Sequence, residues 1–263
     1  MNYKSLTTLE YDKIIDRLVS FAASDKAKER LKKLVPMTDI HDINAALSET
    51  SDALSRVYAK GAVSFSGVHD IGASVKRLEI GSSLNTVELL HMSSLLTAAA
   101  RVKNYYEDTT DSLTGYFHAL EPLTPLNTEI KRCILSEDEI ADDASSTLKQ
   151  IRRSMKQAGD RIHSQLSSLL NGSMRTYLQD AVITMRNGRY CVPVKAEYRG
   201  QVPGMIHDQS STGSTIFIEP MSIVKLNNDI RELENKEQAE IEVILANLSM
   251  EAAGYMDTIR YNL

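Results

Sequence analysis

The string His207-Asp208-Gln209-Ser210-Ser211 is where this sequence comes nearest to catalytic chemistry, with a base, an acid and two hydroxyl nucleophiles inside five positions. A working triad draws those groups together from separate elements, so the compact string is read as a turn in which Asp208 and Ser210 bond to backbone amides. The histidines at 41, 69, 91, 118, 163 and 207 do not pair at ligand spacing and HExxH is absent, so no metal site is expected and each is read as a surface or satisfied polar residue. Cys133 and Cys191 form no CxxC or Cys/His group and are read as small apolar residues. Glu137, Asp138, Glu139, Asp142 and Asp143 could hold a divalent ion, but acids also crowd where a helix dipole favours them, and that reading is preferred. Glu219-Pro220 is read as the end of a strand rather than a general base. Neither GxxxxGK[ST] nor GxGxxG occurs, so the backbone cradle that nucleotide phosphates commonly use is missing. No catalytic, cofactor or metal residue is assigned.

What survives is a concentration of positive charge. The chain as a whole is at −5, yet residues 149–200 carry ten Lys/Arg against three acids, a local excess of seven. Arg152, Arg153 and Lys156 fall on polar positions of a long helical pattern. Arg186, Arg189, Lys195 and Arg199 fall in or beside turns of a β-rich segment, within reach of a phosphate backbone. Composition alone favours a merely solvated face. Tyr190 and Tyr198 could stack on bases or simply pack.

The elements that must position these residues are mainly helical. Two short helices are expected over residues 7–35, the second capped by Ser24, and a longer one over 39–60 with Ile40, Ile43, Leu47, Thr50, Leu54 and Val57 at strict 3,4 spacing before Gly61. Asn85-x-x-Glu88 provides the polar start of a third long helix that ends near Tyr106. A short helix through 113–120 and a Pro-containing connection then mark a possible boundary. From Glu137 to Leu170 a single long helix is expected, with a narrow seam of Leu148, Ile151, Met155, Ala158, Ile162, Leu166 and Leu169. Residues 182–220 read as three or four short strands, with Asn187-Gly188 suited to a type I′ hairpin. Residues 222–250 restore the helical pattern, except that Glu237 stands where an apolar residue belongs. The expected fold is thus mainly α: a helical domain over 1–128, then a region over 129–263 in which long antiparallel helices flank a small antiparallel β module.

No apolar run approaches membrane-spanning length and the first residues lack a signal-peptide layout, so a cytoplasmic protein is expected. The last residues run toward helix without a stop signal, which suggests a piece of something longer.

Three strings, LEYDKIIDRLVSFAASDKAKERLKKLVP, EIADDASSTLKQIRRSMK and ITMRNGRYCVPVKAEYRGQVPGMIHDQSSTGSTIFIEP, resemble the second bacterial MutS family, the MutS paralogue without a mismatch-reading domain and usually with a C-terminal Smr nuclease. The resemblance implies a core and lever region followed by a clamp region. It also implies a missing ATPase domain that would take ATP and Mg and form the homodimer, and a missing nuclease, so this chain is not expected to be an enzyme. The implied partners are branched or duplex DNA and the ribosome with its RNA, in suppression of recombination or in ribosome rescue, with no membrane. Two readings stay open: Arg152, Arg153, Lys156, Arg186, Arg189, Lys195 and Arg199 hold nucleic-acid backbone without sequence specificity, or the chain is a structural arm that docks proteins or transmits ATPase state.

Overall fold

A computed structural model describes residues 3–105 and 110–263. The expected end of the third long helix, near Tyr106, lies outside the described residues. The chain is mainly α and divides into two compact units, residues 1–141 with 244–263, and residues 142–243.

The first unit opens with α1 (Tyr3–Thr8), α2 (Tyr11–Phe21), α3 (Asp25–Lys32) and α4 (Ile40–Lys60), followed by α5 (Gly72–Glu79), α6 (Thr86–Tyr105), α7 (Thr114–Ala119) and α8 (Thr124–Cys133). Its centre is α6, which buries Leu89, Met92, Leu95, Leu96, Ala98, Ala99 and Val102. Ile71, Val75, Leu78, Leu126, Ile130 and Cys133 are buried in the same unit. Removing a Leu- or Ile-sized side chain from water is worth roughly 1.5–3 kcal/mol, so a helix with this many inward positions holds its unit together. The expected capping box is present: Glu88 N donates to Asn85 Oδ1 at 2.9 Å and Asn85 N donates to Glu88 Oε2 at 2.9 Å. Ser24 caps α3 by accepting from Ala27 N at 3.2 Å.

One expectation fails here. Residues 137–145 are not helix: β1 (Ile134–Ser136) and β2 (Glu139–Ile140) form an antiparallel hairpin, so Glu137 and Asp138 occupy its turn. The long helix α9 begins only at Ser146, where Ser145 accepts from Leu148 N at 2.9 Å. A serine with an extended backbone supplies the cap that the run of acids lacks. Glu137 and Asp138 therefore serve a turn, Glu139 a strand, and Asp142 and Asp143 the loop before the cap, rather than a helix dipole.

In the second unit α9 (Ser146–Asn171) and the first part of α10 (Val224–Ala253) run antiparallel, since Ser145 Oγ donates to Glu240 at 2.7 Å and Arg152 Nε to Glu237 at 2.7 Å. Between them in sequence lie β3 (Thr184–Arg186), β4 (Arg189–Lys195), β5 (Gly204–Gln209) and β6 (Thr215–Pro220), an antiparallel sheet of order β3-β4-β6-β5. Asn187 and Gly188 both take positive φ, 51° and 73°, in the β3–β4 turn, as a type I′ hairpin requires. Ile162, Leu166 and Leu170 of α9 pack against Val192, Val194, Ile216 and Ile218 of the sheet, with Ile223 closing the core. Gly204 is demanded by close approach: a Cβ there would lie 2.6 Å from Ile218 Cγ2 and closer still to the Glu219 carbonyl oxygen. From Ile244 onward α10 belongs to the first unit, as does α11 (Met256–Asn262), where Ser249 Oγ accepts from Leu84 N at 2.8 Å and Asn262 exchanges hydrogen bonds with the Glu121 backbone.

Candidate nucleic-acid interface and the buried carboxylate beneath it

The seven candidate cations separate by what they touch. Two of them face inward. Arg189, on the first residue of β4, is only 16% exposed, and its Nη2 and Nε donate to Glu219 Oε1 and Oε2 at 2.7 and 3.2 Å. Arg152 bridges Glu237 at 2.7 Å and Asp142 at 2.5 Å. That bridge explains why Glu237 replaces an apolar residue in its helix seam: the position faces a guanidinium. Arg186 lies between the classes, half-exposed, with Nε 3.1 Å from Asp208 and its guanidinium 3.9 Å from the centre of the Phe217 ring.

The other cations face water. Arg153 and Lys156 are exposed on α9 and have no ion-pair partner among the described residues. Lys149, which the sequence reading counted in the basic stretch but did not single out, joins them, because positions i, i+4 and i+7 share one helical face. A second group sits around the 3-10 turns Ser173–Tyr177 and Ala196–Gln201. Lys195 Nζ reaches Thr176 O at 3.4 Å and lies 5.8 Å from the Tyr198 ring, while Arg199 and Arg175 are exposed. Tyr198 tilts against Tyr177 at 5.2 Å, and Tyr190 meets His163 edge-on at 5.3 Å, so both tyrosines are packed.

Beneath this surface is a feature that sequence reasoning missed. Glu219 is fully buried, and its carboxylate accepts from Arg189 twice, from Asn227 Nδ2 at 2.7 Å, and bonds His207 Nε2 at 2.5 Å. Asn227 also clamps β4 through Tyr190, accepting from its N–H at 3.1 Å and donating to its carbonyl at 3.2 Å. Arg189 Nη1 continues to Asn228 at 2.8 Å. Burial would raise the Glu219 carboxyl, but the bonds from Arg189, Asn227 and His207 outweigh it and hold the group below its ordinary 4.5. Burial, reinforced by the Glu219 charge, pushes the Cys191 thiol up to about 11, so this thiol stays protonated and inert. An acid between Ile218 and Pro220, in an otherwise apolar strand, was the available signal.

The HDQSS string is only half the turn expected: His207, Asp208 and Gln209 end β5, paired to β6, and the turn begins at Ser210. Gln209 N donates to Asp208 Oδ1 at 2.8 Å, Thr215 N to Ser210 Oγ at 3.0 Å and Gly213 N to Ser210 O at 2.8 Å, while His207 points to Glu219. No base–nucleophile pair is formed by these residues. His69 and His91 stack with ring centres 3.9 Å apart, and burial together with His69 lowers the His91 pKa. Among the described residues no group of three or more His, Cys, Asp and Glu is placed to hold a metal ion, and no helix is long and apolar enough to cross a membrane.

The second unit thus combines a buried charge network around Glu219 with exposed cations along the helix that packs on its sheet. No family model matches the chain. It is 62% identical over 260 residues to Endonuclease MutS2 of Lachnospira eligens, covering 98% of this chain and 33% of that protein. It is 57% identical to the Endonuclease MutS2 of Agathobacter rectalis over 259 residues, 96% of this chain and 33% of the relative, and 44% identical to that of Acetivibrio thermocellus over 270 residues, 100% and 34%. The chain is homologous to the N-terminal part of MutS2 proteins and is of the MutS family. It spans about a third of the length of the curated relatives it matches.

Proposed function

We propose that residues 142–243 are the arm with which a MutS2-type protein holds nucleic-acid backbone, without reading sequence. The observation that carries this is the exposed stripe of Lys149, Arg153 and Lys156 on α9, free of ion-pair partners among the described residues, with Lys195, Arg199 and Arg175 near the 3-10 turns as a second group. Phosphate contact without base readout gives strongly salt-dependent, sequence-tolerant binding. Arg152, Arg186 and Arg189, held by Glu237, Asp208 and Glu219, support the arm that presents these cations. Branched or duplex DNA and structured ribosomal RNA both fit this chemistry, as would a cytoplasmic role in suppressing recombination or in rescuing ribosomes. ATP hydrolysis and nuclease cleavage are assigned to parts of the longer relatives outside this chain.

Fluorescence anisotropy with duplex, four-way-junction and structured RNA probes across a salt series tests the proposal. Salt-sensitive binding that weakens when Lys149, Arg153 and Lys156 are changed to Gln supports it; absence of binding at low salt sinks it. The ion pairs of Arg152 and Arg189 favour a second reading, in which the arm is purely structural and transmits ATPase state. That reading expects no salt-sensitive nucleic-acid binding, either by the parent or by the Gln variants.

A further inference from the structure

Helix α3 buries none of its residues, and the reason is a hollow between it and α6. Ala23, just before the helix, and Lys26, Ala27 and Arg30 within it share one face at i, i+3, i+4 and i+7 spacing. That face lines a cavity of about 340 Å³, whose other side is Leu95, Ala98, Ala99 and Val102 of α6. Alanine side chains on both helices are too short to fill the gap, which leaves it at the size of a small-molecule site. The surround is built in place. Phe65 and Val68 enter from the 61–71 segment, which is tied to α6 where Arg101 Nη2 donates to Ser66 O at 3.0 Å and Tyr105 Oη donates to Gly61 O at 2.8 Å. Asn262, which exchanges hydrogen bonds with the Glu121 backbone, and Leu263 line it from the end of α11.

The charge on this cavity is one-sided. Ser24 Oγ is occupied by the Ala27 N–H and the Asn262 amide by Glu121, so neither is left to bond a guest strongly. Lys26 is half-exposed and reaches Asp70 only at 3.8 Å, while Arg30 has no ion-pair partner among the described residues. No acidic side chain is among the described residues that line the cavity. We infer that it binds a small amphipathic anion, a monocarboxylate with an aliphatic body. The body lies along Leu95, Ala98, Ala99 and Val102, where it leaves water, and the carboxylate lies between Lys26 and Arg30, which supply charge-assisted hydrogen bonds. The volume equals about eleven water molecules at roughly 30 Å³ each, room for an acid of about ten non-hydrogen atoms. The site belongs wholly to the first unit and shares no residue with the cation stripe on α9.

Alanine-methyl NMR of the 263-residue chain titrated with octanoate tests this. Saturable shifts of the Ala27, Ala98 and Ala99 methyls are expected, which separates the cavity from apolar side chains exposed elsewhere. Octanol, with the same body and no charge, should bind about tenfold more weakly, and octylammonium more weakly still. Lys26→Gln and Arg30→Gln, both at exposed positions, should each weaken octanoate about threefold and leave octanol unchanged. Ala27→Leu fills the cavity from α3 and should abolish the shifts at Ala98 and Ala99 without lowering the melting temperature. Octanoate that moves none of these methyls, three ligands that bind alike, or Lys26→Gln and Arg30→Gln chains that bind octanoate as the parent does would overturn the inference.

Discussion

Replacing Glu219 by Gln keeps the size of the side chain and removes its charge at the centre of the arm. The parent carboxylate is fully buried and takes four hydrogen bonds, two from Arg189 and one each from Asn227 and His207. A glutamine amide offers one acceptor oxygen and turns an NH2 toward groups that are themselves donors. Breaking a buried ion pair from one side costs about 3–5 kcal/mol. Arg189 is 16% exposed and keeps Asn228, which brings the expected loss to about 2–4 kcal/mol. For a chain of this size each kcal/mol moves the melting temperature by roughly 2–4 °C, so a drop on the order of 5–15 °C is expected by far-UV circular dichroism.

The pH dependence is a separate check. The folded-state pKa of Glu219 is depressed below 4.5, so the stability it contributes is fully present above that value and is lost as pH falls through the folded pKa. The gap between parent and Glu219→Gln should therefore be flat above pH 4.5 and close under more acid conditions. Replacing both members of the pair, as Glu219→Leu with Arg189→Met, should recover much of the loss, because an apolar pair needs no desolvation. A Glu219→Gln melt within about 2 °C of the parent would refute the view that this carboxylate holds the sheet to α10.

The other predictions are briefer. Gly204→Ala drives a Cβ into the backbone of β6 and should cost about 1–3 kcal/mol in a urea titration, with the slope unchanged. Arg152→Leu alone leaves Glu237 facing apolar surroundings and should destabilise by about 1–2 kcal/mol, whereas Arg152→Leu with Glu237→Leu completes the seam and should be neutral or stabilising. Neutralising Lys149, Arg153 and Lys156 together should flatten the plot of log affinity against log salt by about 0.9 per lost duplex contact. Arg189→Ala should lower the melting temperature and leave that slope unchanged.

Most helices were legible because their signals are local. The Ser24 cap, the Asn85–Glu88 box and the Asn187-Gly188 turn each act within four residues and appear as expected. The error at Glu137 has the same origin: acids at a helix start and acids in a hairpin turn look alike until the pairing of Ile134 with Ile140 decides between them. Glu219 was illegible for a different reason. Its partners come from β4, β5 and α10, at positions 189, 207 and 227, and no window of sequence brings them together. The anomaly at Glu237 was visible as an anomaly, and only Arg152, 85 positions away, gives it meaning.

The same reasoning shows why a count of charges overstated the basic surface. The local excess of seven between 149 and 200 is a property of a sequence window, and folding brings in acids from outside that window. Asp142 and Glu237 neutralise Arg152, Asp208 sits on Arg186, and Glu219 takes Arg189. These arginines have exchanged one set of partners for another, and binding a phosphate would require breaking a made bond. Lys149, Arg153 and Lys156 have made no such exchange, so the counterions they displace from a polyanion are a net gain. If the arm holds nucleic acid, affinity should follow these unspent cations one by one, and the paired arginines should matter only through the stability of the scaffold that presents them.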